Sequence, residues 1–298
     1  MTDELTVDVA GRPVRVSSLD RVLYPDIGFT KAELIDYYTS VAEALLPYLR
    51  DRPSTLHRYP EGIDGKHFFQ TRCPPHPPWV RTATMHFPRT GKTFAAPVLD
   101  DVASLVWAAN LATIELHPFL GRVDDLDTPT QVVFDLDPGA PAGIAEAARV
   151  ALRLREMLAE VGLRGWPKTS GAKGLHVHVP LHAPTSYPRT KRFARTLAEL
   201  LERDQPDRVV HRMSRDLRAG RVLVDWSQND PGKSTVAPYS LRGLPVPTVA
   251  APLTWDEVEA LGSGGRYPLI GPAQALARLD RYGDLMAPAS TRRQRLPD

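Results

Sequence analysis

A short apolar stretch at residues 132–139 constrains the fold of this 298-residue chain more than any other feature. It reads Val-Val-Phe-Asp-Leu-Asp-Pro-Gly, so it carries Asp135 and Asp137 and then ends in a turn. Side chains alternate between the two faces of a strand, so both carboxylates point the same way. Like charges on a half-buried face repel and lose hydration, costs that a divalent cation between them relieves. An isolated Asp-x-Asp is more often a solvated strand end, but the apolar run before it and the turn after it favour a site.

Composition sets broad limits on the partners of the chain. Its 42% hydrophobic and 24% charged residues are ordinary for a globular protein. The net charge is only +2, so a phosphate-binding surface must come from local clusters. Cys73 is the only cysteine, which excludes an internal disulfide. The N-terminus lacks the pattern of a signal peptide and no apolar run reaches the length of a membrane span, so we expect a cytoplasmic protein without membrane contact.

Predicted strands alternate with predicted helices, which indicates a mixed α/β core in one large domain or two small ones. A hairpin is predicted over residues 5–16, with its turn at Gly11. A capping box at Thr30 and Glu33 begins one amphipathic helix that extends to Leu49. Further helices are expected at about 100–112, 141–161 and 188–202, and strands at 114–118, 132–137, 175–180 and 221–225.

Lys31 lies in the first turn of the first predicted helix, and Arg21 precedes that helix. A cation there gains nothing from the helix dipole, whereas an anion bound beside it gains from both. Lys31 is therefore a candidate phosphate ligand, and the alternative is a solvated surface lysine.

Phe68 and Phe69 are adjacent aromatic residues in a segment rich in basic side chains, namely Arg58, Lys66 and Arg72. This mixture suits a base-stacking surface beside a backbone clamp. The alternative is a core position, because one of two adjacent residues in a strand faces inward.

Two other groups contain metal-ligand residue types. Cys73, His76 and His86 lack a second closely spaced ligand pair and lie in Pro-rich sequence, which argues against zinc. Glu115 and His117 share one face of a predicted strand, a face that belongs either to the core or to a pocket.

Three further segments supply groups that suit a triphosphate pocket. The small-residue loop around Ser170 and Lys173 precedes a strand with His176 and His178 on one face, and it lacks the Walker ending. Asp225 ends another apolar strand. Tyr239-Ser240-Leu241-Arg242 offers a hydroxyl and a guanidinium. Acids that converge beside a triphosphate pocket suit two-metal nucleotidyl transfer.

The ordered motifs together resemble the polymerase domain of bacterial ligase D and its stand-alone relatives in the archaeo-eukaryotic primase superfamily, over roughly residues 10–285. The motifs are Leu23-Tyr24-Pro25, Thr30-Lys31, Asp36-Tyr37-Tyr38, Phe68-Phe69, Ile114-Glu115-Leu116-His117-Pro118, Phe134-Asp135-Leu136-Asp137-Pro138, Ser170-Gly171-Ala172-Lys173-Gly174-Leu175-His176, Asp225-Trp226-Ser227-Gln228-Asn229 and Tyr239-Ser240-Leu241-Arg242.

The resemblance implies the primase-polymerase fold, with mixed sheets and flanking helices around a catalytic cleft, and it implies roles for specific residues. Asp135, Asp137 and Asp225 would be the catalytic metal ligands. The nucleotide would contact Ser170, Lys173, Gly174, His176, Gln228, Ser240 and Arg242. Ser18, Arg21 and Lys31 would bind the DNA 5′-phosphate, and Phe68 and Phe69 would stack on the template.

The resemblance also implies two manganese or magnesium ions, a ribo- or deoxyribonucleoside triphosphate substrate and gap filling in non-homologous end joining. Its partners would be DNA ends and gapped DNA with a 5′-phosphate, together with Ku and a DNA ligase. We expect a nucleoid-associated monomer with a single domain over residues 1–287 and a flexible polar tail or linker over 288–298.

Two departures from the family pattern concern the early phosphate motif, where Arg21 replaces the usual lysine and Ser18 the usual asparagine. Arginine keeps the charge and binds phosphate bidentately, so recognition should survive with altered strength. His178 lies beyond the motif and is interpreted as structural.

Two alternatives remain. One is a haloacid-dehalogenase-type phosphatase, which also has Asp-x-Asp after an apolar strand but usually continues differently from Pro138-Gly139-Ala140. The other is a DNA-end binding module that has lost catalysis, although all three acids are present.

Overall fold

The computed structural model describes residues 4–87, 90–265 and 269–297. Residues 1–3, part of the N-terminus in which we expect no signal peptide, lie outside the described residues. The chain has a mixed α/β fold, as predicted. The strands are β1 (Glu4–Val9), β2 (Arg12–Ser17), β3 (Val22–Tyr24), β4 (Phe29–Thr30), β5 (Ser54–Arg58), β6 (Phe68–Gln70), β7 (Thr82–Phe87), β8 (Lys92–Pro97), β9 (Thr113–Pro118), β10 (Gly121–Arg122), β11 (Asp125–Pro129), β12 (Gln131–Pro138), β13 (Trp166–Thr169), β14 (Leu175–Pro180), β15 (Val209–Val210), β16 (Val222–Asp225), β17 (Leu241–Arg242) and β18 (Thr248–Val249). The helices are α1 (Lys31–Ser40), α2 (Ala42–Leu49), α3 (Val102–Asn110), α4 (Ile144–Glu160), α5 (Tyr187–Asp204), α6 (Trp255–Gly262), α7 (Pro272–Tyr282) and α8 (Ala287–Thr291).

The chain divides into two compact units. Residues 1–119, 234–250 and 270–281 form the first unit, and residues 120–233, 251–269 and 282–298 form the second.

The first unit contains several small antiparallel sheets, among them β1-β2, β7-β8 and the three-stranded sheet β6-β5-β9. The predicted hairpin is confirmed, since β1 and β2 pair and Ala10 and Gly11 between them have positive φ angles of 52° and 80°. The turn therefore uses the left-handed region that glycine adopts easily.

The helix predicted from Thr30 to Leu49 is instead two helices. Thr30 caps α1, and its hydroxyl and Glu33 form the expected capping box. The first helix ends at Ser40 because Thr39, Ser40 and Val41 are three successive weak helix formers. The second helix then starts at Ala42.

The second unit is built on a five-stranded sheet with the order β13-β14-β12-β16-β15. Strand β12 is central, and both of its neighbours, β14 and β16, run antiparallel to it. Val132, Phe134 and Leu136 of β12 are fully buried, which fixes the register of the strand because a one-residue slip would expose them. The predicted strand is confirmed.

Two C-terminal residues of the second unit, Gln294 and Leu296, have buried side chains. The Gln294 amide donates to the carbonyls of Arg164 and Pro180. Among the residues that the structure describes, no helix has the length and apolar character needed to cross a bilayer.

Candidate functional site

Asp135 and Asp225 lie directly opposite each other in the second unit, on β12 and β16. Residues in opposite positions of an antiparallel pair share one face, and Asp137 is on that face because it follows Asp135 by two residues. All three carboxylates are partly exposed, in contrast to the buried apolar residues between them. The sheet therefore places the three predicted acids on one face.

The side chain of Asp225 is held by the short 3-10 helix that follows it, Trp226–Gln228. Its Oδ1 accepts hydrogen bonds from the Ser227 backbone nitrogen (2.8 Å) and hydroxyl (2.6 Å). The Gln228 amide donates to Oδ2 at 3.2 Å. These bonds fix the orientation of the carboxylate, and they place the Gln228 amide beside it.

Two cations accompany Asp137. The Lys173 ammonium lies 3.1 Å from Asp137 Oδ1, and an Arg218 guanidinium nitrogen lies 4.0 Å from Oδ2. Asp135 faces a third basic residue, since His176 Nε2 is 3.4 Å from its Oδ1. The carboxylates on this face therefore have basic neighbours. Their oxygen atoms are hard donors, which suit Mg²⁺ or Mn²⁺.

The loop between β13 and β14, residues 170–174, brings Ser170, Lys173 and Gly174 next to the acids and is called the anion loop below. The Ser170 hydroxyl accepts hydrogen bonds from the backbone nitrogens of Ala172 (3.2 Å) and Gly174 (3.1 Å), which closes the loop around it. Gly171 has a φ of 73° at the bend. These bonds fix the shape of the loop that carries Lys173 beside Asp137.

Gly174 is required by close packing of this loop on β12. A Cβ atom there would lie 2.4 Å from the carbonyl oxygen of Leu136, the residue between Asp135 and Asp137. Only glycine permits this approach, so the loop and the acids keep a fixed distance.

Two histidines of β14 differ in their surroundings. His176 is opposite Asp135, whereas His178 is opposite Val133 and its Nδ1 pairs with the Gln131 side-chain oxygen at 3.0 Å. His178 thus bonds away from the acids, which agrees with its interpretation as structural.

In the first unit, Glu115 and His117 line a buried polar cluster rather than an apolar core. Glu115 Oε2 lies 2.8 Å from His117 Nε2 and 3.4 Å from His57 Nδ1, and its Oε1 lies 3.3 Å from Arg242 Nε. Burial alone would raise the pKa of Glu115, but hydrogen bonds from the two histidines and the Arg242 charge outweigh it and hold that pKa well below its usual range. Burial lowers the pKa of His117, against the opposing effect of Glu115.

Ser240 and Arg242, the other predicted nucleotide ligands, belong to this first unit. Ser240 is fully buried, and its hydroxyl accepts a hydrogen bond from the Leu116 backbone nitrogen at 2.9 Å. Arg242 pairs with Glu115, and its backbone oxygen accepts from the Tyr24 hydroxyl.

The predicted 5′-phosphate ligands lie together at the start of α1. The Arg21 backbone nitrogen donates to the Ser18 oxygen, and the Lys31 nitrogen donates to the Arg21 oxygen. The Lys31 side chain is buried, and its ammonium donates to the Asn110 carbonyl at 3.2 Å. Burial, assisted by the Arg21 charge, lowers the pKa of Lys31 to about 8.

Phe68 and Phe69 are exposed by 38% and 61%, so neither is a core residue. They lie on β6, with the Arg58 guanidinium over the Phe68 ring and the Phe69 ring stacked on His57 at a centroid distance of 3.8 Å. An exposed ring that is supported from below is a suitable surface for a base.

Sequence reasoning missed His57, Lys168 and Arg218. His57 becomes relevant only through pairing of β5 with β9, which places it opposite Glu115. Lys168 is fully buried and lies opposite His176, a signal visible in the sequence as a lysine next to the anion loop. Arg218 ends a single 3-10 turn, Arg215–Leu217, which is too short for a periodic pattern to indicate it.

These features define a class of protein: a mixed α/β protein whose five-stranded sheet carries a pair of acidic strands and the anion loop. The comparisons with known proteins identify the family. Residues 30–286 match the family described as LigD, primase-polymerase domain. The chain belongs to this family, which agrees with the predicted resemblance and argues against the phosphatase alternative.

Similar proteins include the multifunctional non-homologous end joining protein LigD of Mycolicibacterium smegmatis, 40% identical over 92% of this chain, and that of Pseudomonas aeruginosa, 34% identical over 89%. The chain spans only 36% and 32% of these two relatives. The solved polymerase domain from Mycobacterium tuberculosis ligase D in complex with DNA is similar with a TM-score of 0.87 and 38% identity, covering 94% of this chain and 98% of that one.

Proposed function

We propose that the protein is a template-directed nucleotidyltransferase that adds ribo- or deoxyribonucleotides to a DNA 3′ end. The observation that carries the proposal is the placement of Asp135, Asp137 and Asp225 on one face of the second unit's sheet, in a chain of the LigD primase-polymerase family. In this reaction the 3′-hydroxyl oxygen would form a bond to the α-phosphorus of the nucleotide, and pyrophosphate would leave.

The three aspartates would hold the two divalent ions of the reaction. Their oxygen donors fit Mg²⁺ or Mn²⁺, and the Lys173 and Arg218 cations beside Asp137 show that this carboxylate favours positive charge. When bound, the ions would lower the pKa of the 3′-hydroxyl and stabilise charge on the phosphorus centre.

The residues of the chain would orient the nucleotide for this chemistry. Ser170, Lys173 and Gly174 would bind the triphosphate through the closed loop, with Lys173 exchanging its contact with Asp137 for a phosphate. His176 and Gln228 would fix the carboxylates of Asp135 and Asp225. The contributions of Ser240 and Arg242 to nucleotide binding stay a prediction from the resemblance.

DNA would be recognised by the first unit's basic and aromatic residues. Ser18, Arg21 and Lys31 would bind the 5′-phosphate at the far side of a gap, and Phe68 and Phe69 would stack on the template. The DNA in the similar M. tuberculosis structure supports a DNA partner. Non-homologous end joining is proposed as the context because the relatives are named for it. Ku and a DNA ligase as partners stay predictions from the resemblance, and a single domain over residues 1–287 stays a prediction.

A gapped-DNA extension assay tests the proposal. The protein should extend the 3′ end across a short gap in Mn²⁺, with release of pyrophosphate rather than free phosphate, and ribo- and deoxyribonucleotides are compared in Mg²⁺ and Mn²⁺. Asp137→Ala should abolish extension while DNA binding is retained. If the wild-type protein binds gapped DNA but extends nothing with either ion, the protein is a binding module.

A further inference from the structure

The buried cluster around Glu115 in the first unit has the composition of a transition-metal site. His57 on β5 lies opposite Glu115 on β9, and His117 follows Glu115 by two residues, so the three side chains share one face of the sheet β6-β5-β9. Among residues 4–87, 90–265 and 269–297, this is the group of three His, Cys, Asp or Glu residues whose ligand atoms all lie within 4.8 Å of one another.

The spacing of the ligand atoms fits a zinc-sized ion. Glu115 Oε2 is 2.8 Å from His117 Nε2 and 3.4 Å from His57 Nδ1. Bonds of about 2.0–2.1 Å in a tetrahedron separate neighbouring ligand atoms by about 3.3 Å. The two distances from Glu115 Oε2 are close to this value, and all three ligand atoms lie within 4.8 Å of one another, so the side chains are near enough to share one ion.

The outer contacts of the ligands are those that metal sites use. The second ring nitrogen of His57, Nε2, is 3.0 Å from His67 Nδ1, and a ligating histidine usually has such a partner on its free nitrogen. Glu115 Oε1 accepts a hydrogen bond from the Gly243 backbone nitrogen at 3.0 Å and faces Arg242. The supporting bonds thus fall on Oε1, and Oε2 is the oxygen directed at the two imidazoles.

We propose that His57, Glu115 and His117 bind one transition-metal dication of the zinc type, at a site that shares no residue with the aspartate set. Two imidazoles and one carboxylate suit Zn²⁺, Co²⁺ or Fe²⁺ and are a poor set for Mg²⁺, which prefers oxygen donors and water. The ion would join β5 to β9. It would also fix His57, on which the exposed Phe69 ring stacks, so the metal would stiffen the aromatic surface.

The experiment titrates the full chain, first stripped with a chelator, with Co²⁺ as a spectroscopic probe. With excess Mg²⁺ present to occupy the proposed aspartate site, we expect one equivalent to bind with visible ligand-field absorption and to be displaced by Zn²⁺. Glu115→Gln keeps the size of the side chain but removes its charge, and His117→Gln removes a ligand, so each should weaken Co²⁺ binding at least tenfold. His86→Gln, at an exposed histidine of the same unit, should leave it unchanged.

Thermal unfolding with and without zinc is a second measurement of metal binding, for the case in which one of the variants folds poorly. Zinc should raise the thermal unfolding temperature of the wild-type and His86→Gln proteins but not that of His57→Gln or His117→Gln. Absence of saturable Co²⁺ binding by the wild-type protein overturns the proposal, as does an unchanged spectrum in both His57→Gln and His117→Gln. Neither readout depends on polymerase activity, so this proposal and the proposed function fail separately.

Discussion

Asp135 on β12 and Asp225 on β16 are paired residues of adjacent antiparallel strands. The two acids are far apart along the chain, yet pairing in the sheet places both on the face that also carries Asp137. Because their carboxylates lie on rigid strands, the proposed metal site would be organised before any ligand binds.

Replacement of Asp225 should therefore affect catalysis more than folding. We expect Asp225→Asn to lower the extension rate in Mn²⁺ roughly 100-fold or more, because an amide is a neutral and weaker ligand. Single-turnover extension on gapped DNA measures the effect. Asp207→Asn, at an exposed acid in the same unit, is the matched control, and equal rates for Asp225→Asn and wild type would contradict the metal role.

Local signals explain what the sequence could predict. The capping box at Thr30, the Gly11 hairpin and the Asp-x-Asp strand each depend on a few neighbouring residues, so the sequence predicts them. The pairing of His57 with Glu115 depends on register between β5 and β9, which are far apart along the chain, and no local period encodes it. The split of the first helix at Val41 likewise follows from three weak helix formers whose effect the amphipathic pattern concealed.

Gly174→Ala should separate the anion loop from the acids. The new Cβ would meet the Leu136 oxygen at 2.4 Å, so the loop must shift, at a cost of about 1–3 kcal/mol in the free energy of unfolding. We expect a higher KM for the nucleotide together with this loss, measured by extension kinetics and chemical denaturation. Gly232→Ala is the control, since its Cβ would lie 3.7 Å from the nearest side chain. An unchanged KM would exclude the loop from nucleotide binding.

Lys31 should make recognition of the 5′-phosphate depend on pH. Burial and Arg21 lower its pKa to about 8, so the ammonium loses its proton as the pH rises from 7 to 9, whereas the phosphate stays doubly charged. The preference for gaps with a 5′-phosphate over gaps without one should therefore fall over this range. Binding titrations on the two DNAs at each pH measure it.

Two variants control this prediction. Lys31→Arg keeps its charge at pH 9, so the preference should become independent of pH. Lys31→Ala should weaken binding to the phosphorylated gap about tenfold and hardly change binding to the other. Equal losses on both DNAs would assign Lys31 to folding rather than to phosphate recognition.

Phe69 should contribute to DNA binding through its exposed ring. Stacking of one base on an aromatic ring contributes about 1–3 kcal/mol, and Phe69 is 61% exposed with His57 beneath it. Phe69→Leu keeps an apolar side chain but removes the ring, so binding to gapped DNA should weaken by that amount. Leu5→Ala is the control for loss of an exposed apolar side chain in the same unit. An abasic position in the template opposite the gap removes the base instead of the ring. The wild-type and Phe69→Leu proteins should bind this DNA equally. A difference that persists on abasic DNA would show that Phe69 acts without stacking on the template.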